Sequence, residues 1–218
     1  MSSAGTRERI LDAAERLFPV HGVDGTSVRH ITAEAQVNVA AVNYHFGSKE
    51  ALVSAVFKRR LGPIGEERLR LLDESEARAG GQPPLEEIVE AFIAPALRLR
   101  GEPEHGGENF CMLMGQLFSE SSKWKQLIFA EFGPAMHRFR AALALALPDL
   151  PEPELWWRIH FLLGAMVHTL RGGEALVYLS QGQCDPADVE GTIRRLSVFL
   201  AAGLRAPVAP VLPPPVSA

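Results

Sequence analysis

The stretch Val37-Asn38-Val39-Ala40-Ala41-Val42-Asn43-Tyr44-His45-Phe46-Gly47-Ser48-Lys49-Glu50-Ala51-Leu52 decides the fold. Asn38 is a good N-cap for a very short helix over residues 39–46. Val42 and Phe46 lie four apart and anchor that helix inward. Gly47-Ser48 ends it and caps a fourth helix, which starts at Lys49 and runs through Leu52, Ala55 and Val56. Upstream, Gln36-Val37-Asn38 forms a turn. It follows a second helix capped by Thr26, with Val28, Ile31 and Ala35 facing inward. Earlier still, Ile10, Ala13, Ala14, Leu17 and Phe18 mark one face of a first helix, and Gly22 supplies its left-handed stop. Four short helices in some sixty residues, with a three-residue turn between the second and third, predict helix-turn-helix geometry.

The third helix has the residue types needed to enter a major groove. Ala40 and Ala41 keep its leading face small, and Asn43 pairs donor and acceptor capacity suited to adenine. Tyr44 and His45 stand at its far end, where phosphates pass. Lys49 sits in a first helical turn, where the macrodipole disfavours a cation unless a phosphate shares the site. Thr26, Ser27 and Arg29 open the second helix and offer further backbone contacts. Blander readings stand beside these: Tyr44-His45-Phe46 as an aromatic cap on a three-helix core, Lys49 as a solvated lysine, Asn38 as a plain N-cap and not a DNA contact.

Residues 6–56 resemble the DNA-binding domain of the TetR family of transcriptional regulators. The resemblance is carried by the amphipathic first helix with Gly22, Thr26 and Ile31, and by Tyr44-His45-Phe46-x-Ser48-Lys49-Glu50-x-Leu52. It implies that Tyr44, His45 and Lys49 hold phosphates while residues near Ala40, Ala41 and Asn43 approach the bases. Gln36 departs from the pattern, since a glycine is usual at that turn. The segments 38–49, Ala55-Val56-Phe57 and Leu61-Gly62-Pro63 are also similar to a branch that senses long-chain fatty acids. Trp157-Arg158-x-His160-Phe161-x-Leu163-Gly164-Ala165 and Phe199-x-Ala201-Ala202-Gly203-x-Arg205 fit that branch too.

The rest of the chain reads as all-α, without a strand or repeat. Helices are expected over 64–77, 85–100 with a kink at Pro95, 108–121, 123–147 bent or broken at Gly133-Pro134, 154–179 loosened at Gly172-Gly173, and 186–205. The expected domains are a helix-turn-helix head at 1–60, a ligand-binding and dimerisation body at 61–205, and a flexible proline-rich tail at 206–218. Gly62-Pro63 lies at the junction. The family resemblance implies a homodimer through the last two long helices. Phe110, Met114, Leu117, Phe118, Phe132 and Met136 belong to a methionine- and phenylalanine-rich cluster suited to a pliable lipophilic pocket or to plain core. Trp157, His160, Phe161, Gly164 and His168 join the ligand candidates. His160, His168, Arg158 and Arg171 are able to meet a ligand carboxylate, and the two histidines equally fit satisfied core positions. The implied mechanism is release of a palindromic double-stranded operator when a small lipophilic effector, a long-chain fatty acid or acyl-CoA, shifts the spacing of the recognition helices.

Composition narrows the alternatives. The formal charge is −4, yet residues 1–60 carry eight Lys/Arg against six Asp/Glu, so a slightly basic head sits on an acidic body. No apolar run approaches the roughly 20 residues of a membrane span, and the first residues lack a secretory apolar region. A cytoplasmic protein without membrane insertion is expected. Cys111 and Cys184 make neither a disulfide framework nor a metal clip. No GxSxG, HExxH, Walker A or GxGxxG pattern is present, so no enzyme activity, cofactor or metal is expected. The alternatives are a regulator of the same class sensing a different hydrophobic or aromatic compound, and a helical enzyme or adaptor that does not bind DNA.

Overall fold

The computed structural model describes residues 3–100 and 122–208, in which the fold is all-α. Nine helices run through the described residues: α1 (Ser3–Gly25), α2 (Val28–Glu34), α3 (Val39–Phe46), α4 (Lys49–Arg78), α5 (Leu85–Arg100), α6 (Ser122–Ala146), α7 (Glu152–Leu170), α8 (Glu174–Leu179) and α9 (Val189–Arg205). The segments 108–121 and 209–218, expected as a helix and most of the tail, lie outside the described residues.

Side chains bonded to backbone set the ends of the head helices. Ser27 Oγ accepts from His30 N at 3.1 Å, Asn38 Oδ1 from Ala41 N at 2.9 Å, and Ser48 Oγ from Ala51 N at 3.1 Å. Each satisfies an amide that a helix start leaves without an intrahelical partner. The cap of α2 is therefore Ser27, one residue later than expected. Thr26 is fully buried instead, and its hydroxyl donates to Gly22 O at 2.7 Å. Gly22 has a φ of 71° inside α1, so the left-handed stop is present, although helix resumes after it. Val37 N donates to Thr32 O and Gln36 N to Ala33 O, the paired bonds of a Schellman end, with Gln36 held at φ 53°.

The inward positions read from periodicity are the core of the head. Ile10, Ala13, Ala14, Phe18, Ile31, Val42, Leu52 and Val56 are buried together. Beyond the head, neither the gap expected between the fourth helix and 64–77 nor a break at Gly133-Pro134 is present. α4 runs unbroken for 30 residues through Gly62-Pro63, about 45 Å of rod. α6 likewise continues through Gly133-Pro134. An interior proline costs about 3 kcal/mol of helix propensity. For α4 the offset is visible: Phe57, Leu61, Ile64 and Leu72 keep one buried stripe on both sides of Pro63. Burying side chains of that size is worth about 1.5–3 kcal/mol each, so packing wins. At the other end the long helix expected over 154–179 is two, divided at Gly172 with φ 116°. The last helix begins at Val189 and not at Pro186, because Asp188 Oδ1 caps Gly191 N at 2.8 Å.

In the body, α5 packs against α4, α6 and α9, and α7 closes the bundle against α5, α6 and α9. Phe92 and Phe139 meet edge to face at its centre with ring centroids 5.0 Å apart. Head and body share α4, and Arg59 and Arg60 on it reach back to Asp12 and Glu15 of α1.

Candidate nucleic-acid interface

The side chains of α3 divide cleanly. Val42 points into the core and Phe46 is half-buried against it. Asn38, Ala40 and Asn43 are exposed, Ala41 and His45 half-buried, and Tyr44 is 81% exposed. Tyr44 and His45 pack edge to face at 5.0 Å, so the phenol projects beyond the helix end from a fixed base. Ser27 and Arg29 are exposed at the start of α2. Arg7 was not singled out from the sequence, yet its guanidinium lies 5.4 Å over the Phe46 ring and adds a cation beside α3. Thr26 leaves this set, because its buried hydroxyl is already spent on Gly22 O.

Lys49 is placed differently from the expectation. Its Nζ donates to Val23 O at 2.6 Å and lies 5.5 Å from the Trp124 ring. The compensation sought from a phosphate for a cation in a first turn is thus supplied within the chain, by a carbonyl near the end of α1. Two ammonium donors remain. Around it, Trp124 Nε1 donates to Asp24 Oδ1 at 2.5 Å, and Lys123 Nζ bonds Glu50 Oε1 at 2.5 Å. That bond with Lys123 is the leading reason the Glu50 carboxyl sits below its ordinary range. Trp124 carried no signal in the sequence beyond its size, since Asp24 lies a hundred residues away and Lys49 seventy-five.

Residues 10–56 match the family model for bacterial regulatory proteins of the tetR family, and residues 90–203 match that for the tetracyclin repressor-like C-terminal domain. The chain belongs to the TetR family. Among curated TetR-type relatives, the regulator AcrR of Shigella flexneri is 38% identical over 78 residues, 36% of this chain and 34% of AcrR. The repressor Rv3405c of Mycobacterium tuberculosis is 46% identical over 70 residues, 32% of this chain and 35% of its own length. The chain thus spans about a third of the length of these relatives. Solved structures extend the TetR likeness over nearly the whole chain, as fold. FadR of Bacillus subtilis, crystallised with stearoyl-CoA, aligns with a TM-score of 0.60 at 16% identity, covering 88% of this chain and 97% of FadR. A putative fatty acid metabolism regulator of Clostridium perfringens aligns with a TM-score of 0.62 at 22% identity, covering 89% and 97%.

In the TetR-type body, the expected ligand residues that are described do not gather into one pocket. Phe110, Met114, Leu117 and Phe118 lie outside the described residues, as does the side chain of Phe132. Met136 is half-buried and walls a narrow apolar cleft with Phe92, Phe139, Ile159 and Leu162. Trp157, His160, Phe161, Gly164 and His168 are all exposed on the outer face of α7. The reason is helical phase: Leu155, Ile159, Leu162, Met166 and Leu170 take the inner face, which turns the other set outward. Trp157 and Phe161, 58% and 61% exposed, stack on one another there at 5.9 Å. Arg158 is buried and paired with a carboxylate, donating to Glu154 Oε1 at 3.0 Å and Leu204 O at 2.5 Å. Among the described residues no helix is long and apolar enough to cross a membrane.

A second buried arginine, Arg68, escaped the sequence reading. It is 4% exposed on α4, donating from Nε to Phe92 O at 2.6 Å and from Nη2 to Met166 Sδ at 3.4 Å. Its guanidinium lies 4.0 Å from the Phe92 ring centroid. Burial pushes its pKa down to about 10, so it is still charged at neutral pH.

Proposed function

We propose that this chain is a transcriptional repressor that binds a palindromic operator as a homodimer and lets go when a small lipophilic effector occupies the body. The observation that carries the reading is the exposed face of α3. Asn43 and Ala40 stand outward on a helix eight residues long, with Tyr44 at its tip and Ser27 and Arg29 beside it. Small and amide side chains suit base edges, and the hydroxyls and cations at the rim suit phosphates. Ala41, Asn38, His45 and Lys49 complete the proposed contact set. Residues 1–60 act as the head and 61–205 as the sensing and dimerising body, with α4 as the rod they share.

A head of this size reads one half-site, so two must be held by a two-fold interface. The outward apolar face of α7, with Trp157 and Phe161, and that of α9, with Val198 and Phe199, supply one. The effector class, a long-chain fatty acid or acyl-CoA, is favoured by the apolar lining of the cleft and by the fold shared with a FadR that holds stearoyl-CoA. A coupling of about 1–3 kcal/mol between effector and operator is enough for useful release.

The test is to select duplexes from a random pool with the purified protein and titrate the winner by fluorescence anisotropy. Palindromic winners, affinity that falls steeply with salt, and release by saturating myristate or myristoyl-CoA are expected. Winners without symmetry, or an affinity blind to both ligands, overturn the dimeric repressor and the lipophilic effector respectively.

A further inference from the structure

The two buried arginines of the body differ in one respect. Arg158 has a carboxylate, Glu154, and a carbonyl. Arg68 has a carbonyl, a thioether and an aromatic face, and among the described residues no carboxylate meets it. A buried charge without a counter-charge is among the costliest features a core can hold, and interiors normally pair it. A guanidinium carries five N–H donors in a fork that matches a carboxylate, and only two of its nitrogens are engaged by the bonds described. If Arg68 served only to tie α4 to α5, a neutral donor would bond Phe92 O without the penalty of burying charge.

The surroundings suit an amphiphile. The Phe92 ring that carries the guanidinium also walls a largely apolar cleft with Ile88, Met136, Phe139 and Leu162, and the one charged group in its lining, Arg140, is already paired with Glu152. In the present form that cleft has about 10 Å³ of free space, no more than a single water occupies. A chain enters it by moving side chains, and Met136, with three rotatable bonds and only partly buried, is the one built to move.

We propose that Arg68 anchors the effector: its guanidinium takes the carboxylate of a free lipophilic acid whose hydrocarbon lies along Phe92 and Met136. The inference rests on the lipophilic-effector reading above and narrows it. A carboxylate is compact enough to be buried beside Arg68. An ester, an alcohol and a coenzyme A thioester all lack the free carboxylate.

The experiment compares myristate, methyl myristate and myristyl alcohol by calorimetry on the full-length protein and on Arg68→Met. The wild type is expected to prefer the acid by at least about tenfold. Arg68→Met is expected to melt no lower than the wild type and to bind all three alike. Carboxyl-labelled myristate gives a readout on the wild type alone: by NMR the bound carboxyl should titrate below the free acid. Equal affinity for acid and ester, a preference that survives in Arg68→Met, or a bound carboxyl that titrates at or above the free acid overturns the anchor and leaves the lipophilic effector standing. If none of the three binds, the effector reading itself falls, and this one with it.

Discussion

The indole Nε1 of Trp124 donates to Asp24 Oδ1 at 2.5 Å and so joins the first turn of α6 to the last turn of α1. This bond links body to head independently of α4. Trp124→Phe keeps most of the buried ring and deletes the donor. It should cost about 1–2 kcal/mol in urea unfolding, because Asp24 loses a charge-assisted bond. Operator affinity should change little while its response to effector weakens, measured as the ratio of affinities with and without ligand. An unchanged ratio would show that this contact does not carry the coupling.

Gln36 holds a left-handed conformation, φ 53°, at the end of α2. A side chain there costs about 1–2 kcal/mol, partly recovered on replacement because glycine raises the entropy of the unfolded chain. Gln36→Gly should therefore stabilise the protein by about 0.5–1 kcal/mol, seen as a higher urea midpoint at unchanged slope.

Asn38 and Tyr44, both in the proposed contact set, differ in what they do for stability. Asn38→Ala removes the cap on Ala41 N and should cost about 1 kcal/mol of stability. Tyr44 is so exposed that Tyr44→Ala should move stability by less than about 0.5 kcal/mol. If Tyr44 holds a phosphate, the same change should weaken operator binding about tenfold across all sequences, checked by anisotropy.

Trp157 and Phe161 face outward together. Replacing both with glutamate should leave the helical circular dichroism intact and convert the dimer to monomer in sedimentation equilibrium. A dimer that persists would move the interface elsewhere.

Glu86 on α5 bonds Arg205 on α9, which holds its carboxyl down at about 2 against an ordinary 4.5. A depressed acid contributes stability that is present above the unfolded value and lost as pH falls from 4.5 towards 2. The pair is largely exposed, so the whole effect should stay within about 1 kcal/mol. Glu86→Gln should flatten the acid limb of stability against pH in that window and nowhere else.

The head was legible because its rules are local. Asn38 and Ser48 cap amides three residues on, and Ile10, Ala14 and Phe18 repeat at helical spacing, so nearest neighbours along the chain settle the outcome. Thr26 was misread because two adjacent hydroxyl residues are equally good caps on paper, and only Ser27 is free of the core. The outer face of α7 was also open to reading, had the phase of Leu155, Ile159 and Leu162 been set against that of Trp157 and Phe161.

Local spacing thus dictated an all-helical chain and its four-helix head, since caps and i, i+4 contacts act within one or two turns. Long-range packing decided what no spacing records. It carried α4 unbroken through Pro63, gave Lys49 a carbonyl 26 residues away, and put Arg68 in the core with no carboxylate beside it among the described residues. The physical reason is that burial and electrostatics depend on what the rest of the chain brings alongside, and that neighbour is chosen only when the helices meet.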